Sequence, residues 1–394
     1  MTPHREAPKY GARVRVLLDV SAVPNQPVGA GVYTVAIAAG LATHADIDLV
    51  VLCRRDDAPR WEQIASGAEV IAAVPTARPA RLAWERTRGA HLAHTARVDL
   101  WHGPHYTLPD RLSVPSVVTV HDLTFFDAPE THERAKVWFF RHAIERNARR
   151  ATRVLCVSHT TAARLGELVP GHAPTAVAHH GVDHDRFRVG GPDDRAADDA
   201  CLAPHGIAGR YIAFVGTIQP RKGLPVLVEA FADLVRDDPD LRLVLAGGDG
   251  WGLDDLRHAI THNRVATRVL RPGYLDNATV AALYRRAAVV AYPSLAEGFG
   301  LPALEAMACG APLVTTSGTA MDEFVDDAAL VVPPGDAPAL AAALRRALYE
   351  PDTVERLHQR GPIVAQPYTW AGCVEAHVAA YRAAVQPRND EAVV

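Results

Sequence analysis

Hydrophobic residues along the chain gather in short unbroken runs separated by longer stretches with helical period. Val14–Leu18, Leu49–Cys53, Val117–Val120 and Val154–Val157 are the runs of the first half. Tyr211–Val215, Leu241–Ala246, Ala287–Tyr292 and Pro312–Thr315 are those of the second. A strand whose sheet is covered on both faces needs continuous rather than alternating apolar residues, so these runs predict buried parallel strands. Thr131–Arg149, Leu224–Val235, Asn277–Arg286 and Pro302–Cys309 read as helices between them. Repeated alternation of strand and helix predicts an α/β protein with two doubly wound sheets. Close to the C-terminus, Val374, Val378 and Tyr381 share one face of a last helix, which a polar tail follows.

With 394 residues, the chain has the length of two domains. The stretch Arg188–Arg210 is rich in Gly, Pro, Ala and Asp and lacks periodicity, so it reads as a linker. The expected division is a first domain over 1–190, a linker over 191–210, a second domain over 211–370, and a helix with its tail over 371–394.

Charge alters this picture more than composition does. The chain carries 41 basic and 45 acidic residues, a net charge of −4 that argues against nucleic acid as a partner. Up to residue 190 there are 23 basic and 19 acidic residues, and beyond it 18 and 26, so a basic half precedes an acidic one. Positive charge is almost all arginine; Lys9, Lys136 and Lys222 are the lysines. Five scattered cysteines without a C-x-x-C pair fit a reducing compartment. The first twenty residues hold no apolar signal-peptide core, and no run approaches the ~18 apolar residues of a membrane span. These features predict a cytoplasmic protein, with contact at the inner face of the membrane left open.

Three segments carry candidate chemistry. Gly29 and Gly31, one residue apart after the first strand, would let backbone N–H groups approach an anion. Gly216 closes the first strand of the second half and is followed by Arg221 and Lys222 before a helix. That is a plausible grip on a diphosphate: a guanidinium fork, an ammonium and a helix N-terminus together. The spacing is not that of a Walker A loop. The third segment, Tyr292–Gly310, holds Glu297 and Glu305 eight residues apart around Gly298, Phe299, Gly300 and Leu301. Glu297 falls in a loop and Glu305 in the first turn of the next helix. Backbone amides between two acids suit a phosphate flanked by hydroxyl-bearing groups, the layout of a nucleotide sugar.

The Glu297–Glu305 spacing and the run Glu-Gly-Phe-Gly-Leu-Pro resemble retaining glycosyltransferases of family 4. The resemblance extends from the Gly29–Gly31 turn to Tyr368-Thr-Trp370. It implies a GT-B fold: two Rossmann-like domains facing across a cleft, with the C-terminal helix crossing back to the first. It further implies an acceptor-binding first domain and a second domain that binds the donor. Glu297 would contact the donor sugar, Glu305 the ribose, and Arg221 with Lys222 the diphosphate. His121, in Val-His-Asp after a strand, matches a histidine that reaches the sugar, and Gly29–Gly31 would close on the diphosphate. Thr217 stands where many members carry another Arg, and Gln-Pro-Arg-Lys resembles the mannosyltransferase-like branch. His180 stands where an Asn is usual, and the neighbouring Asp183-His-Asp185 spells a metal motif of a different glycosyltransferase fold, which is discounted here as chance.

The nineteen histidines include close pairs such as His102 with His105, none with a third ligand at zinc-like spacing, so no metal or other cofactor is expected. Trp84, His102 and His105 are acceptor-side candidates. Basic segments around Arg78–Arg88 and Arg134–Arg150 would suit an acidic or membrane-bound acceptor, although Val137, Phe140, Ile144 and Ala148 also read as a plain core stripe. The resemblance implies transfer of a sugar, foremost mannose from GDP-mannose, to a hydroxyl of a glycan or lipid-linked acceptor. A UDP- or dTDP-sugar donor, a nucleotide-sugar epimerase and a non-catalytic nucleotide-sugar-binding protein are the alternatives.

Overall fold

A computed structural model describes residues 13–386. The chain divides into two compact units. One takes the described chain up to Asp127, then Glu133–His180, and resumes at Trp370; the other takes Ala128–His132 and Gly181–Thr369.

The first unit contains β1 (Val14–Asp19), α1 (Ala30–Thr43), β2 (Ile47–Arg54), α2 (Ala58–Ile64), β3 (Glu69–Val74), α3 (Arg78–Thr95), β4 (Leu100–Gly103), β5 (Ser116–Val120), α4 (Thr124–Asp127), α5 (Arg134–Arg150), β6 (Arg153–Cys156), α6 (His159–Leu168) and β7 (Thr175–Val177). The second contains α7 (Asp194–Leu202), β8 (Tyr211–Val215), α8 (Leu224–Leu234), β9 (Arg242–Ala246), α9 (Leu253–His262), β10 (Val269–Gly273), α10 (Asn277–Arg286), β11 (Val289–Tyr292), α11 (Leu301–Ala308), β12 (Leu313–Thr316), β13 (Ala329–Val332), α12 (Ala337–Tyr349) and α13 (Pro351–Ala365). The last helix, α14 (Trp370–Val385), belongs to the first unit.

Both sheets are parallel, ordered β3-β2-β1-β4-β5-β6-β7 and β10-β9-β8-β11-β12-β13. Along β1, successive side chains enter opposite cores. Val16 and Leu18 join Ile37 of α1 and Val378 and Tyr381 of α14 on one face. Leu17 joins Ala93 of α3, Ile144 of α5 and Leu165 of α6 on the other. Each sheet also reverses its winding direction beside its first strand, between β1 and β4 and between β8 and β11. The crevice outside the carboxyl ends of such strands is where open α/β sheets hold ligands.

The structure departs from expectation at the proposed linker. The division falls between His180 and Gly181. Arg188–Arg210 contains α7, whose Asp198 is buried and paired with Arg285 of α10 at 2.5 and 2.8 Å. An ion pair stands where periodicity looks for an apolar residue, so the helix left no hydrophobic stripe to read.

Candidate active site

The site of the second unit is built from the loops that leave β8 and β11. These strands are neighbours, with Ile212 beside Val289 and Ala213 beside Val290. A short turn, Pro220–Lys222, ends at Gly223 with φ 64°. A Cβ there would fall 2.2 Å from the Pro293 carbonyl oxygen, so a glycine is required for the two loops to meet. Leu295 N–H then donates to the Arg221 carbonyl at 2.7 Å and ties one loop to the other.

The tie brings together residues 75 apart in sequence. Lys222 Nζ donates to Glu297 Oε1 and, at 2.5 Å, to Tyr292 Oη. Arg221 Nη1 reaches Glu297 Oε2 at 3.0 Å and the Ala296 carbonyl at 3.2 Å. Ser294 Oγ donates to Glu297 Oε1 at 2.8 Å. The Glu297 and Lys222 side chains are 8% and 6% exposed, so this is a buried ion cluster with one positive charge in excess. Burial alone would raise the Glu297 carboxyl, but Lys222 and Arg221 outweigh it and hold the group at about 2. It is therefore a carboxylate at neutral pH. The cluster is preformed: an anion arriving at the two cations meets side chains already fixed in place, and Glu297 stands beside it as an acceptor for hydroxyl groups.

Beyond Glu297, Gly300 adopts φ 101° and caps α11; a Cβ there would lie 2.4 Å from Met321 Cγ. Phe299 packs on Phe324 and Tyr368, with ring centroids 5.5 and 6.2 Å apart, and Leu301 is buried. These two residues fix the loop through packing, with buried Gly298 beside them, so that the positive end of α11 faces the crevice side of the sheet. Gly216 has its amide engaged by the Ala246 carbonyl at 2.9 Å. Glu305 differs from expectation. Because Gly300 is the cap, α11 starts at Leu301, and Glu305 lies in its second turn rather than its first. Burial, only partly offset by Arg186, pushes its carboxyl up to about 8.

In the first unit, Gly29 caps α1 with φ 50°, and Gly31 donates its amide to the Val28 carbonyl at 2.9 Å within that turn. His121 follows β5, donates from Nε2 to the Pro104 carbonyl at 2.7 Å, and leaves Nδ1 buried without a hydrogen-bond partner. Its ring meets Tyr33 edge-on at 4.9 Å and lies 5.7 Å from His105. His105 bonds Thr34 Oγ1 through Nε2 at 3.1 Å. Burial depresses all these imidazoles: His105 to about 3 and His377 to about 4, with His102 and His121 also lowered, so they are neutral at pH 7.

His102, an acceptor-side candidate, is spent inside the fold. The Cys373 carbonyl can only accept, so His377 Nδ1 carries the proton (2.7 Å) and Nε2 accepts from Tyr33 Oη (2.7 Å). Tyr33 in turn accepts from Thr119 Oγ1 (3.0 Å), which accepts from His102 Nε2 (2.8 Å), and His102 Nδ1 accepts from Tyr381 Oη (2.7 Å). One proton per bond is possible in this order only, and the chain pins α14 to β4, β5 and α1. Trp84, another acceptor-side candidate, is half-buried and packs against the core beneath α3. Tyr33, Thr119 and His377 carried no sequence signal, whereas Tyr292 and Ser294 lay inside the quoted Tyr292–Gly310 run. Among the described residues, no group of three His, Cys, Asp or Glu side chains is placed to hold a metal ion. No helix among them is long and apolar enough to cross a membrane.

Comparison with known proteins gives the family of the chain. Residues 205–363 match the family model for glycosyl transferases group 1, and residues 27–186 match that for glycosyltransferase family 4. An O-antigen chain mannosyltransferase B of Escherichia coli is 30% identical over 72% of this chain and 74% of its own length. A D-inositol 3-phosphate glycosyltransferase of Saccharomonospora viridis is 37% identical over 70% of this chain and 66% of its own. The solved structure of Anabaena HepE, in complex with UDP and glucose, superposes with a TM-score of 0.75 at 19% identity, covering 94% of this chain and 100% of that one. Two parallel-sheet, Rossmann-like units with such neighbours define a glycosyltransferase of the GT-B fold. Within that class, the chain belongs to glycosyltransferase family 4.

Proposed function

We propose that the protein transfers mannose from GDP-mannose, with retention of configuration, to a hydroxyl of a glycan or lipid-linked acceptor. The observation that carries the reading is the Lys222–Glu297–Arg221 cluster at the β8–β11 reversal. The O-antigen mannosyltransferase likeness favours mannose as the sugar. In this reading Arg221, Lys222 and the N-terminus of α11 hold the diphosphate and stabilise the charge that develops as it leaves. Glu297 then shares its cations with the phosphates and turns its oxygens to the sugar hydroxyls. Glu305 binds the ribose. His121, with its unpartnered Nδ1, accepts a hydrogen bond from a sugar hydroxyl, and Gly29–Gly31 serve the diphosphate. Catalysis is electrostatic and positional, and no metal or other resident cofactor takes part.

A UDP-sugar donor is the second reading, favoured by the UDP and glucose bound to HepE. The test is nucleotide release from a panel of GDP-, UDP- and dTDP-sugars, with and without a chelator. Release is expected from GDP-mannose foremost and at the same rate with chelator. Faster release from a UDP-sugar selects the second reading, and release from none of the donors overturns both. A chelator-sensitive rate overturns the metal-free mechanism.

A further inference from the structure

The first unit holds an apolar groove of about 440 Å³ between α3 and α5, lined among others by Leu82, Glu85, Arg86, Trp138, Phe139 and Asn147. Its size and lining are those of a small-molecule site. It continues into a smaller recess of about 70 Å³, with which it shares Leu82, Glu85, Thr107 and Phe139; the recess runs to Asp19, Gly103 and His105 at the carboxyl ends of β1 and β4. The groove therefore leads to the winding reversal of the first sheet.

Two buried polar atoms in its wall are without partners. Glu85 is 6% exposed; its Oε2 accepts from Thr107 Oγ1 at 3.1 Å, while Oε1 has none. Burial, with the neighbouring Asp19 whose own carboxyl is also raised by burial, pushes the Glu85 carboxyl up to about 8. At neutral pH it keeps a proton, which belongs on Oε1 because Oε2 already receives one. Asn147, 5% exposed, donates from Nδ2 to the Tyr106 carbonyl at 2.9 Å and leaves Oδ1 unpartnered. Both residues line the groove, and an unpaired donor and an unpaired acceptor in one wall together match a hydroxyl group. At the rim, Arg86, Arg146 and Arg150 surround the single carboxylate of Asp110 at 3.5, 2.7 and 3.7 Å, leaving two positive charges in excess. Trp138, 73% exposed, lies parallel to His142 with centroids 6.0 Å apart and presents an uncovered indole.

We propose that this groove seats the acceptor, and that the acceptor is an amphipathic anion. Its apolar chain lies along Trp138 and Phe139, its anionic group sits at Arg86 and Arg146, and one of its hydroxyls is held between Glu85 and Asn147. The proposal rests on the glycosyltransferase reading for the word acceptor, but its ligand chemistry can be measured without turnover.

The experiment is calorimetric titration of the full-length protein with 1-decanoyl-glycerol 3-phosphate, below its micelle concentration. One saturable site is expected. Decanoylglycerol, which lacks the phosphate, should bind at least tenfold more weakly, and inorganic phosphate at least a hundredfold more weakly. Trp138→Ala and Arg146→Ala should each weaken binding at least fivefold; Trp138 is exposed, so its replacement leaves the fold intact. Glu85→Leu should lose at least tenfold, whereas Glu85→Gln, whose amide still donates, should stay within twofold. Equal affinity for the phosphate-free compound, or no effect of Trp138→Ala, would overturn the proposal. So would binding to anionic phospholipid vesicles that the soluble probe does not displace, since that marks a membrane-docking face. Donor turnover with no probe binding defeats this inference alone, and probe binding without donor turnover defeats the enzymatic reading alone.

Discussion

The two sheets share one architecture and place opposite chemistry at their winding reversals. Beside β8 and β11 the side chains are ions: one carboxylate, one ammonium, one guanidinium. Beside β1, β4 and β5 they are mainly imidazoles, phenols and threonine hydroxyls, most of them linked by hydrogen bonds, with the buried Asp19 as the one acidic group at the end of β1. An ion cluster can exchange partners with an incoming anion, whereas a neutral chain with a single proton arrangement mainly holds backbone segments in place. The same topology thus carries an ion cluster in one unit and a hydrogen-bonded clamp in the other.

The largest expected effect breaks the ionic side. Lys222→Ala leaves Glu297 buried with half its compensation, which costs about 3 kcal/mol of stability, and removes a cation from the proposed diphosphate site. Nucleotide release should fall at least a hundredfold, with a lowered melting temperature in calorimetry. Activity within threefold of the parent would mean that the cluster is structural, like its neutral counterpart.

The next effect separates the two by pH. His377 is neutral in the fold down to about 4 but titrates near 6.5 when unfolded, so its contribution is complete above pH 6.5 and is lost as pH falls towards 4. At about 1.4 kcal/mol per unit, that amounts to about 3 kcal/mol from this residue. Glu297, held at about 2, keeps its contribution above pH 4.5 and loses it only from there towards pH 2. Melting temperatures between pH 7 and 4 should therefore fall in the parent and fall less steeply in His377→Gln. Identical slopes would remove the imidazole from the account.

The smallest effect probes the clamp itself. Tyr381→Phe deletes the hydroxyl that donates to His102 Nδ1 and leaves a buried acceptor unmet, at a cost of about 1–2 kcal/mol. A drop of a few degrees in melting temperature is expected with nucleotide release nearly unchanged. A hundredfold loss of turnover would instead make the neutral chain part of the chemistry.

Much of the fold was legible because the central strands are apolar on both sides, as in β1, β2, β8 and β11. Strands at or near the sheet edges escaped: β3 has one buried residue, Val74, after five exposed or half-buried ones, and β7 has three half-buried ones. β4 escaped for another reason, since its four residues include His102, polar in type yet fully buried. Of the site, Arg221, Lys222 and Glu297 were legible through their spacing and glycine context. That they bind one another was not, because no local pattern joins residues 75 apart. Tyr33 and His377 are 344 residues apart, and Glu85 and Asn147 matter only through the cavity between their helices.

The membership of α14 in the first unit has a consequence for how the protein is made. During synthesis the first unit lacks a helix that lines one of its two cores until residue 385 has emerged, whereas most of the second unit lies in the intervening segment Gly181–Thr369. At about 5–20 residues per second, the ribosome takes on the order of 10–40 s to deliver that segment. The half of the protein translated first is therefore completed last, and until then the Ile37 and Leu41 face of α1 awaits its cover.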